Sequence, residues 1–205
     1  MSANDLIHEG DWIEVPDYGA DGEVIDISLH QIKIQNWDKT ISNVPTHKVL
    51  EVAYKNWRGM SESGGRRIKR AIHIDMTSIR FCDEVMLERF KQINLVKDFL
   101  STKLEQIEQW KVNYTQENDV EPLLVPRITN IRVFHADVEA NLHQHPRIRK
   151  DITLLVRQLA AGRDGFPIEI FVFSNTTVWA ESESIQADIF DHLLAVLPEF
   201  HLQVF

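Results

Sequence analysis

Apolar and polar residues alternate through the N-terminal quarter of the chain. The alternation is clearest in three segments, EVIDISL (residues 23–29), QIKIQ (31–35) and TISNV (40–44). A period of two residues gives each segment one buried side and one solvent-facing side, which predicts short β-strands. Turn-forming residues at 18–22 and 36–39 separate these strands. The pattern predicts one compact β-domain over residues 10–57, a meander that closes on itself as a small barrel or sandwich.

The segment that follows is small and polar. Residues 59–65, GMSESGG, have the composition of a flexible connection and not of a strand or a helix. A domain boundary is therefore predicted here. The predicted division is a β-domain over residues 1–58, a linker over 59–67 and a second domain over 68–205.

Beyond the linker the period of the pattern changes. Residues 68–76 alternate as a strand, and Asp83 is placed to cap a long helical region. Apolar residues recur at helical spacing through that region: Leu87, Phe90, Val96, Phe99, Leu104 and Ile107. This part of the chain predicts a strand followed by a helix.

A second strand fits residues 128–134. Pro146 then suits the first turn of a helix that Gly162 ends. The apolar stripe of that helix would consist of Ile148, Ile152, Leu155, Val156 and Leu159.

The last predicted elements are a strand over residues 166–173, a helix that Ser184 caps and Pro198 ends, and a terminal strand over residues 201–205. The whole order predicts an α+β protein. Its β-rich domain precedes a split βαβ, ferredoxin-like domain that is enlarged by an inserted helical region.

Charge and cysteine content narrow the classes of function. The 205 residues include 22 Lys+Arg against 31 Asp+Glu, and the net charge of -9 disfavours a general nucleic-acid binder because phosphate binding relies on cationic surface. The single cysteine, Cys82, excludes an internal disulfide and a zinc site built from cysteines. No apolar stretch approaches the roughly 18 residues that predict a membrane-spanning helix. These features predict a folded chain in a reducing compartment, the cytoplasm.

Three histidines could form a metal site. His143 and His145 have the His-x-His spacing that puts two rings on one face of a strand, and His135, Asp137 and Glu139 lie close in sequence. The proline at 146 instead favours a helix lead-in, and histidines in exposed loops are common. We therefore expect no metal and no cofactor.

Cys82 could be a nucleophile. A catalytic thiol needs a positioned base and an orienting partner, and no such signature occurs in the sequence. A glycine-rich phosphate loop is likewise missing from the sequence. A buried structural thiol is the favoured interpretation, and no enzyme activity is predicted.

Two further features could bind ligands. The basic segment RRIKR (residues 66–70) could hold phosphates, nucleic acid or anionic lipid, but a solvated, charged entry to a strand is favoured because few other cations support it. Trp12, Trp37 and Trp57 could stack on bases. A role in the core or in a subunit contact is favoured, since this is the commoner use of large aromatic side chains.

Five short motifs near the N-terminus resemble one known family. They are GDWIEVP (residues 10–16), GEVIDIS (22–28), QNWDKTI (35–41), VPT (44–46) and KNWR (55–58). In this order they resemble the β-domain of MscS-like small-conductance mechanosensitive channels. Three longer stretches, at 56–70, 76–82 and 185–200, resemble the miniconductance (YbdG-type) branch of that family.

The resemblance covers nearly the whole chain and has two departures. It is weakest from Glu105 to Lys150, where this branch carries extra length relative to shorter channels. At Thr46 many family members have asparagine after the corresponding proline, so no role of that asparagine is carried over to this chain.

The resemblance implies an Sm-like β-domain and a ferredoxin-like domain that assemble as a homo-oligomeric ring, usually a heptamer. Such a ring forms a hollow cage on the cytoplasmic side of the bacterial inner membrane. Membrane tension opens membrane helices outside this sequence, and the pore-lining helix is expected just upstream of Asn4. Ions and small osmolytes then leave the cell on hypo-osmotic shock. The resemblance implies no cofactor and no nucleic-acid partner.

Family-motif positions are predicted to have structural or assembly roles. These positions are Trp37, Asp38, Pro45, Asn56, Trp57 and Arg58. Strand edges of the β-domain, and residues 201–205, are expected to be used between subunits. No residue is predicted to be catalytic or to bind a metal.

Two other functions stay open at this point. The Sm-like fold also hosts RNA readers, so a free-standing binding module for RNA or protein is the main alternative. A hydrolase that uses the histidine group is the third hypothesis.

Overall fold

A computed structural model describes residues 6–49, 51–114 and 125–205. The chain divides into two compact units, residues 1–64 and residues 65–205. We call them the β-unit and the αβ-unit. Both contain antiparallel sheets, and the α+β class predicted from the sequence is confirmed.

The β-unit is an antiparallel meander. Its strands are β1 (Trp12–Val15), β2 (Ala20–Ile27), β3 (Gln31–Asn36), β4 (Ile41–Pro45) and β5 (Lys55–Asn56), and their order in the sheet is β4-β3-β2-β1-β5. Buried residues fall at every second position, as the alternation predicts. The core residues that the strands supply are Ile13, Val15, Ala20, Val24, Ile32, Ile34 and Val44. A short helix, α1 (Thr46–Val49), follows β4.

The segment predicted to be a flexible linker is largely helical, so this part of the prediction is wrong. Helix α2 spans Arg58–Ser63, and Gly64 ends it with a φ of 72°. Glycine is favoured at this position because the left-handed conformation costs it little. The glycine-rich composition of residues 59–65 therefore marks a helix C-terminus.

The αβ-unit begins and ends at one sheet. Its elements are β6 (Arg67–Ile74), α3 (Glu84–Phe90), α4 (Lys97–Tyr114), α5 (Asn130–Gln144), β7 (Leu155–Gln158), β8 (Phe166–Phe173) and α6 (Trp179–Val196). The strands are antiparallel in the order β6-β8-β7. Val204 forms a bridge to Ile74 at the other edge of β6. With this bridge counted as a fourth strand, the order of elements is that of a ferredoxin-like fold.

Two elements predicted for the middle of the αβ-unit are wrong. Residues 128–134, predicted as a strand, enter helix α5, because the apolar pattern continues at helical spacing through Val138 and Leu142. Residues 146–162, predicted as a helix, contain strand β7. The helix-like stripe there is accidental, since Val156 is paired with Ile170 in the sheet.

One predicted helix boundary is confirmed, and others differ from the structure. Asp83 caps α3 as predicted, since its carboxylate accepts a hydrogen bond of 2.8 Å from the backbone N–H of Met86. The predicted long helical region is divided into α3 and α4. Helix α6 begins at Trp179, before the predicted cap at Ser184, and gives way to a short 3-10 helix that contains Pro198.

The helices cover one side of the sheet and share its core. Three fully buried aromatic rings meet there: Phe200 lies 5.3 Å from Phe90 and 5.5 Å from Phe134, measured between ring centroids. Burial of such rings is a major stabilising contribution to a domain of this size. The C-terminal segment is held by its own unit, because the backbone N–H of Phe205 donates to the carbonyl oxygen of His73 at 3.0 Å.

Candidate functional site

Three tryptophans that are distant in sequence meet on the β-unit. Trp12 comes from β1, Trp37 follows β3, and Trp57 follows β5. The rings of Trp12 and Trp57 are stacked with centroids 4.8 Å apart, and the ring of Trp37 lies nearly perpendicular to that of Trp12 with centroids 5.1 Å apart. We call these three residues and Asp21 the tryptophan cluster.

Asp21 ties the cluster to the sheet. Its Oδ1 accepts hydrogen bonds from the indole N–H of Trp12 at 2.7 Å and of Trp37 at 3.2 Å. Its backbone N–H donates to Asn36 Oδ1 at 3.0 Å. These bonds fix the indole of Trp37 while the residue as a whole stays 51% exposed. The result is a rigid aromatic surface that faces solvent in this chain.

Trp57 differs from its two neighbours. Its indole nitrogen is buried and has no hydrogen-bond partner among the residues that the structure describes. A buried unpaired donor has a free-energy cost of about 1–3 kcal/mol. The stacked contact with Trp12 offsets part of this cost.

Beside the cluster, a buried carboxylate joins the two ends of the β-unit. Asp11 is 7% exposed, and its Oδ1 accepts a hydrogen bond of 2.8 Å from Arg58 Nε. Its Oδ2 accepts from Asn56 Nδ2 at 3.0 Å and from the backbone N–H of His8 at 2.8 Å. A second guanidinium nitrogen of Arg58 also contacts this carboxylate and the ring of His8.

The pKa of Asp11 agrees with this geometry. Burial raises the pKa of Asp11, but the hydrogen bonds from Arg58, His8 and Asn56 outweigh it and lower the pKa to about 2. The hydrogen bond between Arg58 and Asp11 also raises the pKa of Arg58. The pair is therefore ionised throughout the physiological range. Its position suits it to hold the start of β1 against the residues that follow β5.

The two remaining predicted positions lie in turns and edges. Asp38 accepts hydrogen bonds from the backbone N–H of Thr40 at 2.9 Å and from its hydroxyl at 2.6 Å, which shapes the turn after β3 and lowers the pKa of Asp38. Pro45 ends the edge strand β4, opposite Gln31. Of the six predicted positions, Trp37 and Trp57 lie in the tryptophan cluster and Asn56 and Arg58 in the Asp11 network.

Asp11 and Asp21 were not among the predicted site residues. Asp11 lies in the motif GDWIEVP and Asp21 lies beside the motif GEVIDIS. An aspartate that accepts hydrogen bonds from tryptophan or arginine, however, has no local sequence signature. The partner of Asp11 is 47 positions away along the chain.

Two family models match most of the described chain. The β-domain of mechanosensitive ion channels matches residues 1–59, and the C-terminal domain of the mechanosensitive ion channel MscS matches residues 125–204. The two domains stand in this order on one chain and together account for more than half of it. This chain belongs to the MscS family.

Two solved structures share the fold of this chain. Arabidopsis thaliana MSL1 is 11% identical with a TM-score of 0.61, and the match covers 97% of this chain and 53% of MSL1. Helicobacter pylori MscS in its closed state is 13% identical with a TM-score of 0.53, and the match covers 97% of this chain and 56% of that channel. The chain thus spans about half the length of these relatives.

No helix in the described ranges is long and apolar enough to cross a membrane.

The residues that match the family's β-domain include all those of the tryptophan cluster and of the Asp11 network.

The basic segment of this MscS-family chain is divided between the two faces of strand β6. Arg67 lies over the ring of Phe171, and Lys69 lies 3.9 Å from the buried carboxylate of Glu169. Arg70 points to the opposite face, over the ring of Phe190 at 4.5 Å. This division agrees with a charged strand and argues against one continuous phosphate-binding patch.

The predicted histidine group does not converge on a metal-binding geometry. His135 is buried in α5, with Nδ1 2.8 Å from a guanidinium nitrogen of Arg132 and Nε2 2.9 Å from the carbonyl oxygen of Val156. Arginine only donates and a carbonyl only accepts, so Nε2 carries the proton and both ring nitrogens are occupied. Burial lowers the pKa of His135, which agrees with a neutral ring. In the described part of the chain no group of three or more His, Cys, Asp or Glu side chains could hold a metal ion.

Cys82 has the character of a structural thiol. Burial, with the charge of Asp83, raises its pKa to about 11. The thiolate required of a nucleophile is therefore scarce at neutral pH.

Proposed function

We propose that this chain is the cytoplasmic portion of a bacterial inner-membrane channel that releases ions and small osmolytes on hypo-osmotic shock. In this proposal the β-unit and αβ-unit of several copies form a ring-shaped cage, with seven copies as in the family's usual assembly. The chain performs no covalent chemistry and needs no cofactor. Its work is to assemble the ring and to admit solutes to the pore.

The observation that carries this proposal is the order of two channel domains along one chain. A β-domain match at residues 1–59 precedes a C-terminal-domain match at 125–204. The fold likeness to two channels extends over 97% of the chain. Because the chain spans about half of those channels, the membrane-spanning part of the protein is taken to lie in a neighbouring segment of the full-length protein.

Within that role we infer that the tryptophan cluster and strand β4 form a contact between subunits. Trp37 is 51% exposed on a rigid support, and Ile41 on β4 is 52% exposed. Strand β4 is also an edge strand, with β3 as its neighbour on one side. Exposed aromatic area and an unpaired strand edge are features that a protein partner covers.

The predicted use of residues 201–205 between subunits receives less support. These residues already pair with β6 of the same chain, through Val204 and Ile74 and through Phe205 and His73. We therefore confine the proposed assembly contact to the β-unit.

We also infer that the protein belongs to the miniconductance (YbdG-type) branch. The stretches at 56–70, 76–82 and 185–200 support this assignment. A single-channel conductance as large as that of small-conductance MscS, recorded under the same conditions, would contradict it.

The test is survival of a bacterial strain that lacks its own mechanosensitive channels. The full-length gene product should raise survival after a hypo-osmotic shift and give tension-activated currents in membrane patches. Trp37→Ala should reduce both and should lower the fraction of assembled rings in native mass spectrometry. Tyr18→Ala is the matched control, since Tyr18 is another exposed aromatic residue of the β-unit.

Two outcomes would overturn the proposal. One is a full-length protein that is made in normal amounts but gives no currents and no gain in survival. The other is tight, salt-dependent RNA binding in a filter assay by the same protein, which would favour the RNA-binding module.

A further inference from the structure

A pocket of about 400 Å³ lies in the αβ-unit, between α4 and the residues that lead into α5. Phe99, Lys103 and Trp110 line it from α4, where their spacing of four and seven residues puts them on one helix face. Arg127 and Arg132 line the opposite wall. Neither the tryptophan cluster nor the Asp11 network contributes to this pocket.

The cations of this pocket are held by neutral groups. Lys103 Nζ donates to Gln106 Oε1 at 2.9 Å. Arg127 lies over the ring of Phe81 at 3.8 Å, and Arg132 over the ring of Phe99 at 5.1 Å. Within the described ranges none of the three pairs with a carboxylate, and no acidic side chain lines the pocket.

This arrangement preserves positive charge in a protein whose net charge is -9. An aromatic ring positions a guanidinium through its face but does not neutralise it, so N–H groups of Arg127 stay available to an anion. One guanidinium nitrogen of Arg132 donates to His135 Nδ1 at 2.8 Å, and its other N–H groups carry the charge toward the pocket. A cleft with walls of one sign concentrates counter-ions of the opposite sign. The pocket is therefore an anion-attracting site.

Apolar and aromatic side chains make up most of the remaining lining of the pocket, with Gln106 and Thr129 as its uncharged polar members. Trp110 is half-buried and stacked on Tyr114, with ring centroids 4.6 Å apart. Phe99 and Ile107 continue the same wall. The volume of about 400 Å³ falls in the range of pockets that take small organic ligands.

We propose that this pocket binds a nucleotide, with the base against Trp110 and the phosphates on Arg127, Arg132 and Lys103. A free phosphate would use the cations but leave the aromatic wall bare. A fatty acid would offer a single carboxylate to three cations. A nucleotide carries both a planar base that stacks on an indole and enough negative charge for the three cations. The inference does not rest on the proposed channel function.

The test is isothermal titration of the full 205-residue chain with ATP and, separately, GTP. At least one nucleotide should bind at a single saturable site. Adenosine and inorganic tripolyphosphate, which carry the two halves of the ligand, should each bind at least about tenfold more weakly, since each loses one set of contacts. Raising the salt concentration should weaken nucleotide binding.

Substitutions then locate the site. Arg127→Gln and Trp110→Leu should each weaken binding by roughly tenfold, the equivalent of one strong contact. Arg163→Gln, at an exposed loop position outside the pocket, is the matched control and should bind as the parent does. Thermal melting of each variant checks that it is folded.

Three results would overturn the proposal. The first is no saturable binding of either nucleotide up to ~1 mM, a concentration that corresponds to a weak small-molecule complex. The second is tripolyphosphate binding as tightly as the nucleotide, which would make the pocket a simple anion site. The third is folded Arg127→Gln protein that binds nucleotide as tightly as the Arg163→Gln control.

Discussion

Arg58 and Asp11 form an ion pair that joins the residues after β5 to the start of β1, with Nε and Oδ1 2.8 Å apart. The carboxylate is 7% exposed, and its pKa lies near 2. A surface ion pair contributes little to stability, but a buried carboxylate with several donors contributes more. The pair therefore makes the stability of the β-unit depend on pH.

The first prediction concerns Asp11→Asn. At pH 7 the substitution should lower the free energy of unfolding by about 2 kcal/mol, because the ionised carboxylate is favoured in the folded state. The folded-state pKa is depressed, so this contribution is present above pH 3.8 and is lost as the pH falls toward about 2. Urea unfolding followed by tryptophan fluorescence at pH 7 and at pH 2.5 measures it.

Glu14→Gln is the control for this prediction. Glu14 pairs with Lys55 at 2.9 Å on the surface, and its loss should cost less than about 1 kcal/mol. Equal costs for the two substitutions at pH 7 would show that the Asp11 network adds nothing beyond a surface pair.

The second prediction compares two glycines. A Cβ at Gly22 would lie 1.9 Å from the backbone oxygen of Gln35, where β2 and β3 approach closely. Gly22→Ala should therefore destabilise the chain by about 3 kcal/mol or more through strand displacement. Gly59 has open space around it and lies in helix α2.

Gly59→Ala should be neutral or stabilising by up to about 1 kcal/mol, since alanine is the better helix former. Thermal unfolding of both variants measures the difference. A Gly22→Ala protein that melts at the parent temperature would mean that β2 and β3 are not packed as closely as described.

An element of this fold is predicted correctly when the pattern that identifies it lies within a short stretch of sequence. It is missed when a longer stretch is needed to recognise the pattern. Three of the five β-unit strands, β2, β3 and β4, are predicted by the sequence because each alternation is local and turn residues bound it, whereas the short strands β1 and β5 are not. Residues 128–134 are wrongly predicted as a strand because four of the seven are β-branched, a composition typical of a strand. The helical stripe becomes evident only when Val138 and Leu142 are included.

The sequence indicated several residues of the candidate site but not their arrangement in space. The motifs indicated Trp37, Asn56, Trp57 and Arg58, yet no local pattern tells that Asp11 binds Arg58. Such pairs are created when β1 and β5 become neighbours in the sheet. They depend on tertiary structure, which single-sequence spacing does not encode.

The third prediction concerns Asn130, a residue that the sequence patterns did not single out. Its side chain is fully buried at the start of α5. Its Nδ2 donates to the carbonyl oxygens of Ser78 at 2.9 Å and Phe200 at 3.1 Å, and its Oδ1 accepts from the backbone N–H of Arg80 at 2.9 Å. Asn130 thus links three segments through both ends of one amide.

Asn130→Asp should destabilise the chain by at least about 3 kcal/mol at pH 7, because it places a carboxylate oxygen among carbonyl oxygens. Asn175→Asp is the matched control, since Asn175 is exposed and its Oδ1 accepts from Arg147, a bond that a carboxylate retains. Chemical denaturation of both variants measures the effect. Similar stabilities of the two would mean that Asn130 does not hold the described bonds.

The last prediction uses a buried acid of the αβ-unit. Asp137 on α5 is 3% exposed and has no hydrogen-bond partner among the described residues. Burial raises its pKa, and the charge of His192 on α6 opposes that rise only in part. Because the pKa is raised in the folded state, the folded protein favours the protonated acid. Stability is therefore lost as the pH rises through that pKa.

Asp137→Asn should therefore stabilise the chain at pH 7 by removing a buried charge without changing the shape of the side chain. The gain should shrink as the pH falls through the folded-state pKa, and it should vanish below 3.8, where the parent residue is protonated in both the folded and unfolded states. Asp191→Asn, at an exposed position of α6, should give no comparable gain. A gain that is constant from pH 7 to pH 4 would show that titration of Asp137 is not its source, because only the charged form of the acid is penalised by burial.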